Sequence, residues 1–192
     1  MFLPGGRGVN PTPRIWAVCR GLSPRCCGID VGDGLLHFSG MAPELATDPA
    51  LWPLILALLH EAFAAMEGRI DPPSSLRELT PESLTRQAEI GEIWVIGTPV
   101  ACMFLTPKPG ALYVGKLAVA ASHRGQGLAR RMLDRAEARA RDLGLPALEL
   151  QTRVELVENQ AAFLAMGFVE VGRTAHKGYD RPTSITYRRA VF

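Results

Sequence analysis

The sequence predicts a mixed α/β layer, and three observations carry that prediction. Hydrophobic residues switch along the chain between helical and strand spacing. The links between the central strands are short, which favours antiparallel pairing. An apolar strand at 112–120 runs into a glycine-containing turn and then at once into a helix. The length of 192 residues fits one domain, and 47% hydrophobic against 21% charged residues is ordinary globular usage.

Residues 1–33 read as a leader, disordered or an upstream extension of the true reading frame, ahead of a domain at 34–192. They hold six Gly, four Pro and four Arg (7, 14, 20, 25), with no acid before Asp30 and no period. Met41 is an internal start candidate. A secretory signal would need an apolar core that this stretch lacks.

A short strand is expected at 35–39. Asp48 then caps a helix that Pro49 starts, since proline needs no donor in the first turn. Leu51, Leu54, Ile55, Leu58, Leu59, Ala62 and Met66 have helical spacing, and Gly68 ends the run. Residues 71–75 form a loop. Thr80 caps a second helix, with Ser83 one residue short of a good capping box. Strands follow at 93–96, 100–105 and 112–120, turned by Thr98-Pro99 and by Pro107-Lys108-Pro109-Gly110. A helix at 127–143 stops at Gly144 and Pro146. A strand at 147–152, a helix at 157–166 and strands at 168–173 and 184–191 complete the chain. No internal repeat is visible.

Composition excludes several classes. The net charge of +2 is too small to argue for nucleic acid. Cys19, Cys26, Cys27 and Cys102 form no CxxC pair, so a zinc site or disulfide framework lacks support and a reduced, cytoplasmic compartment is the default. The best apolar run, Leu51 to Phe63, carries Pro53, His60 and Glu61 and reads as a core helix, not a membrane span. Charge is uneven: nine acids face three arginines from Glu44 to Glu92, and nine bases face four acids from Lys108 to Arg153.

The chemistry-bearing stretch is Leu117-Ala118-Val119 followed by Arg124-Gly125-Gln126-Gly127-Leu128-Ala129. Glycines let a backbone approach a ligand closely. The first amides of a helix lack internal partners and carry the positive end of its dipole, so they suit a phosphate. Arg124 adds a full charge. Two nucleotide motifs fail: Gly127 is not followed by Lys-Ser/Thr, and Arg130 stands where a dinucleotide fingerprint has its third glycine.

Arg124-x-x-Gly127-x-Ala129 and Leu117-x-Val119 resemble the signature of the GNAT superfamily of N-acetyltransferases. Glu158-Asn159-x-x-x-Phe163-x-x-x-Gly167-Phe168 is similar to a second element of that family, and the resemblance spans about residues 35–192. Ala121 departs from a frequent proline. The resemblance implies a GNAT-type acyl-CoA N-acyltransferase fold, with a mixed central sheet splayed at the cofactor site between the strands at 112–120 and 147–152 and helices on both faces. It implies acetyl-CoA as co-substrate and no metal. The backbone of Leu117, Ala118 and Val119 would pair with the pantetheine arm, Gly125, Gln126, Gly127, Leu128 and Ala129 would hold the pyrophosphate, and Asn159 and Phe163 would help place the arm. The acceptor would be a primary amine of a small molecule or peptide, attacking directly in a ternary complex. The sequence is compatible with a homodimer.

Phe163 stands where many members have a tyrosine that protonates the leaving thiol. Three readings stay open: departure unaided or with water, substitution by Tyr179, or an acyl-CoA-binding sensor with little catalysis. Glu149 is the candidate base offered here, with Glu92 and Glu155 as rivals. His176, in the loop beside Tyr179 and Asp180, is a candidate substrate contact. Glu67, Asp71, Glu78 and Glu82 fall in the segment that caps the acceptor side in this family, which favours a cationic acceptor.

Overall fold

The computed structural model describes residues 41–192. The strand expected at 35–39 and the boundary at 33/34 lie outside the described residues. Asp48 accepts a hydrogen bond from the Ala50 amide at 2.9 Å and opens a 3₁₀ turn that begins at Pro49. The turn feeds helix α1, Trp52–Phe63, whose residues Trp52, Ile55, Leu58 and Leu59 form the buried stripe. A second 3₁₀ turn, Ala64–Met66, follows, and Gly68 takes a positive φ of 73° beyond it. With these turns the helical stretch Pro49–Met66 reaches 18 residues at mean hydropathy 1.5, long and apolar enough to cross a membrane by length and composition alone. Its buried stripe packs instead with Ile93, Val95, Cys102, Phe104 and Ala118 of the sheet.

Helix α2, Pro81–Ile90, corrects one expectation. Ser83 is itself the third helical residue: Thr80 Oγ1 accepts from its amide at 3.3 Å, and Ser83 Oγ accepts from the Thr80 amide at 2.9 Å. The capping box is complete, with a hydroxyl doing what Glu or Gln usually does.

The strands are β1, Glu44–Leu45; β2, Glu92–Ile96; β3, Ala101–Lys108; β4, Ala111–Val119; β5, Ala147–Arg153; β6, Val169–Thr174; and β7, Ser184–Ala190. They form one seven-stranded sheet in the order β1-β2-β3-β4-β5-β7-β6. Every neighbouring pair is antiparallel except β4 and β5. β1 escaped the sequence reading because two exposed residues show no alternation. The β3–β4 turn is tighter than expected: Pro107 and Lys108 pair with Leu112 and Ala111, which leaves Pro109 and Gly110 as the turn.

Helix α3, Leu128–Asp142, and helix α4, Val157–Ala165, complete the elements. Leu128, Met132, Leu133, Ala136 and Ala140 of α3 share one core with Met103, Leu105, Leu112, Val114, Leu148 and Leu150, and Phe163 of α4 packs against it. The α1 core lies on the opposite face, so helices cover both faces. The face assignment follows strand alternation: Met103 and Leu105 look to α3, Cys102 and Phe104 to α1.

Two irregularities shape the middle of this sheet. Cys102 pairs with Ala118 and Phe104 with Gly115, so β4 carries one extra residue there. This β-bulge contains Lys116, whose φ of 50° is unusual for a residue with a side chain. The second irregularity is the parallel ladder itself. β4 and β5 pair only at Leu112↔Leu148 and Tyr113↔Glu149, and then the strands part.

Gly91 joins α2 to β2 at close quarters. A Cβ there would lie 2.2 Å from the Leu105 carbonyl oxygen, a backbone atom that cannot rotate away. Gly91→Ala is therefore expected to destabilise the domain by about 1–3 kcal/mol, the usual cost of overpacking. The shift of the urea unfolding midpoint measures it, and an unchanged midpoint contradicts the packing described.

Candidate active site

The turn between β4 and α3 is built around two glycines. Gly125 and Gly127 both have φ of 76°, and a Cβ added to either would meet nothing within 4 Å. Gly127 caps α3, and its carbonyl accepts the first intrahelical bond from Arg131. The first-turn amides of the helix lack intrahelical partners, and no side chain of the capping residue satisfies them. Arg124 anchors the turn: its Nε donates to the Val119 carbonyl at 3.4 Å and its Nη2 to the Ala62 carbonyl at 3.3 Å. Glu61 Oε1 accepts from the Ala121 amide at 3.2 Å. The end of α1 therefore fixes the turn from both sides. Gln126 folds back onto the Ser122 carbonyl at 3.4 Å.

The gap between β4 and β5 opens into a cleft of about 950 Å³. Leu117, Asn159 and Phe163 line it beside the α3–α4 face. Pro73, Ser75, Arg77 and Glu78, from the segment between α1 and α2, line it on the other. Leu117 and Val119 pack toward α3, while Ala118 is buried in the α1 core, and of the three only Leu117 lines the cleft. The Phe163 ring sits 6.1 Å from Phe168 and 6.2 Å from Tyr187 in edge and tilted contacts, a hydrophobic wall without a proton to give.

The expected catalytic pair is not brought together there. Glu149 is almost fully buried at the closed end of the gap, opposite Tyr113. Arg188 holds it through Nε at 2.8 Å and Nη2 at 2.7 Å, and Lys108 Nζ lies 3.5 Å away. The carboxylate is committed to two cations, fastens β5 to β7, and is not part of the cleft wall. Tyr179 donates to Asp71, and that carboxylate raises the phenol above its ordinary range. Arg181 grips the same Asp71 at 3.0 Å and Glu155 at 3.7 Å, and Arg153 Nη2 donates to the Pro72 carbonyl. Tyr179 thus ties the β6–β7 loop to the α1–α2 segment.

Four cleft residues escaped the sequence reading or were underweighted in it. His176 lines the cleft with Arg153 Nη1 3.0 Å from its ring, and desolvation, then that guanidinium, lowers its imidazole below the usual value. Tyr113 lines it where β4 and β5 part, its phenol raised by burial and then by Glu149. Lys116 faces Ser75 Oγ at 3.5 Å, its ammonium lowered by burial. Arg153 ends β5. The available signal was Lys116 as the lone charge in the apolar run 111–120. Cys102 lies beneath the bulge, donating to the Lys116 carbonyl at 3.7 Å, and burial pushes its thiol up to about 12. It is a core residue rather than a nucleophile.

The acids expected to draw a cation are partly spent. Glu67 pairs with Arg77 at 2.8 Å and Asp71 with Arg181. Glu78 is the only acid in the cleft wall among the described residues. No cluster of three metal-ligating side chains occurs among the described residues. The parted strand edge, the open glycine cradle and the helix terminus together suit an elongated ligand with a phosphate group at one end.

Residues 52–168 match the model of the acetyltransferase (GNAT) family. Solved structures similar to this chain include an acetyltransferase from Streptococcus agalactiae, with 16% identity, TM-score 0.63, and coverage of 80% of this chain and 99% of that one. A GNAT-family acetyltransferase from Staphylococcus aureus is similar at 14% identity and TM-score 0.60 over 79% of this chain and 100% of that one. The ribosomal-protein-S18-alanine N-acetyltransferase from Escherichia coli is similar at 16% identity and TM-score 0.55 over 78% and 94%. At these identities the likeness is one of fold. No curated protein matches the chain.

The glycine cradle carries a direct test. Gly127→Val forces a β-branched residue into a left-handed conformation and fills the open space with methyl groups. Coenzyme A affinity, read by calorimetry, is expected to fall about tenfold or more, a loss of roughly 1.4 kcal/mol. Unchanged affinity in a folded variant removes the cradle from the ligand site.

Proposed function

Since the chain belongs to the GNAT family of acetyltransferases, we propose that it transfers an acetyl group from acetyl-CoA to a primary amine of a small molecule or peptide, by direct attack in a ternary complex. One observation carries this reading: a single cleft joins the gap between β4 and β5 to the α1–α2 side, so donor and acceptor share one chamber. Acetyl-CoA, when bound, supplies an activated acyl carbon and a thiol leaving group. The amides of Gly125, Gln126, Gly127, Leu128 and Ala129 hold the pyrophosphate, and Arg124 keeps the turn in place. The backbones of Leu117, Ala118 and Val119 align the pantetheine arm along the parted edge of β4, with Asn159 and Phe163 as the facing wall. Among the described residues the one cysteine, Cys102, is buried, which favours direct transfer over an acyl-enzyme route through it.

An ammonium must lose a proton before it can attack. The cleft side chain that fits this role is His176, whose imidazole is held below its usual value by desolvation and then by the Arg153 guanidinium. Phe163 gives nothing to the departing sulfur, and a thiol with an ordinary pKa near 8.5 departs well enough without a donor.

Two measurements test this reading in a thiol-release assay over amines and peptides. His176→Gln is expected to lower kcat about 100-fold, the usual scale for a lost general base, with acetyl-CoA affinity unchanged. Because the His176 pKa is lowered from 6.5, the wild-type rate should fall on acidification only below that pH, and the variant should lack this acid limb. Phe163→Tyr should leave kcat within about twofold, since 1.4 kcal/mol would already mean tenfold. Acetyl-CoA binding without thiol release for any acceptor overturns the transferase reading.

A further inference from the structure

We propose that the acceptor is a small amine that also carries a carboxylate, held by Lys116 from one lip of the parted strands and by Arg153 from the other; this rests on the transferase reading above. The two cations stand on β4 and β5 just past the last paired residues, Tyr113 and Glu149, and both line the same cleft. Among the described residues neither has a carboxylate within 4.0 Å. Lys116 Nζ meets only Ser75 Oγ, at 3.5 Å. Arg153 spends its guanidinium on the Pro72 carbonyl and the His176 ring, and its Nε is buried without a partner among the described residues.

Charges held in a partly dry cleft without a counter-ion are costly, and an anionic group between them offsets that cost. The cofactor's phosphates do not supply it, because their cradle lies past the end of β4, at Gly125 and Gly127. Of the other charged groups in the wall, Arg77 is paired with Glu67, Lys177 adds a further positive charge, and Glu78 is the lone acid. The wall therefore offers fixed positive charge for a carboxylate and one carboxylate for an ammonium. That arrangement matches an amino-acid-like molecule better than the polycation suggested by the acidic composition of residues 44–92. The shape of β4 agrees. The bulge gives Lys116 its left-handed conformation, a strained arrangement of the kind that concentrates at functional sites. Arg153 also lies 3.0 Å from the His176 ring, so a carboxylate on Arg153 brings its own amine close to the proton acceptor.

The test compares acceptors that differ only in charge: α-amino acids and ω-amino acids against their amides and methyl esters, with a polyamine as the cationic arm. Thiol release from acetyl-CoA gives kcat and KM for each. The free carboxylates are expected to exceed their amides in kcat/KM by about 10- to 100-fold, the scale of a charged hydrogen bond. Lys116→Gln should raise KM for the carboxylate acceptor about tenfold and leave KM for the amide unchanged, and Lys116→Arg should restore it. Amides or the polyamine reacting as well as the free acids overturns this inference and leaves the transferase reading intact, as does an equal KM rise for both acceptors in Lys116→Gln. Failure of every acceptor while acetyl-CoA still binds overturns both.

Discussion

Two residue pairs of parallel ladder, Leu112 with Leu148 and Tyr113 with Glu149, decide what the rest of this molecule can do. Beyond them β4 and β5 separate, and backbone groups that would face each other across a ladder face a cleft instead. Unpaired buried backbone is expensive, so a gap in mid-sheet needs a firm frame and an edge that water or a ligand can satisfy. The frame is visible on either side. β3 pairs with β4 almost throughout, and β5 pairs with β7 along its whole length. At the closed end, Glu149 fastens β5 to Arg188 of β7 and to Lys108 of β3. The carboxylate that looked like chemistry in the sequence is better understood as the clasp that limits how far the sheet opens.

Much of the fold was legible because it rests on local rules. Asp48-Pro49, Gly68, Gly144 and Gly167 mark helix ends by backbone constraints that act within a few residues. The local structure from Leu117 to Ala129 was legible for the same reason: it is one strand, one turn and one helix start, contiguous in the chain. The opposite wall of the cleft was not, because it is assembled from four segments. No local rule pairs Asp71 with Tyr179 and Arg181, more than a hundred residues away, or puts Arg153 beside His176. Ser83 was misjudged through a count of one residue, and β1 was too short to show a period. The bulge was invisible because a register shift exists only relative to a partner strand.

The charge pattern shows how composition and geometry diverge. The acidic stretch from Glu44 to Glu92 suggested a cation-seeking surface. In the folded chain Glu67 and Asp71 are matched by arginines, and Glu61 and Glu92 serve a turn amide and Arg139. What matters at a site is the charge left over after internal pairing, and in this cleft the remainder is positive. Segment composition cannot report a remainder that depends on contacts made from outside the segment.

Lys116 has one further implication. Ahead of the bulge Leu112 and Val114 point toward α3; beyond it Leu117 and Val119 do so, a change from even to odd positions. Removing Lys116 from the written sequence restores an unbroken two-residue rhythm, with leucine and valine in step on one side and Ala111, Tyr113, Gly115, Ala118 and Ala120 on the other. The strand is thus a regular strand interrupted by a single inserted lysine. A sheet with these two cores could be assembled from the shorter version, whereas the cleft would lose both its kink and its charge. The fold accommodates the extra residue at the cleft wall, where the bulge places a charged side chain.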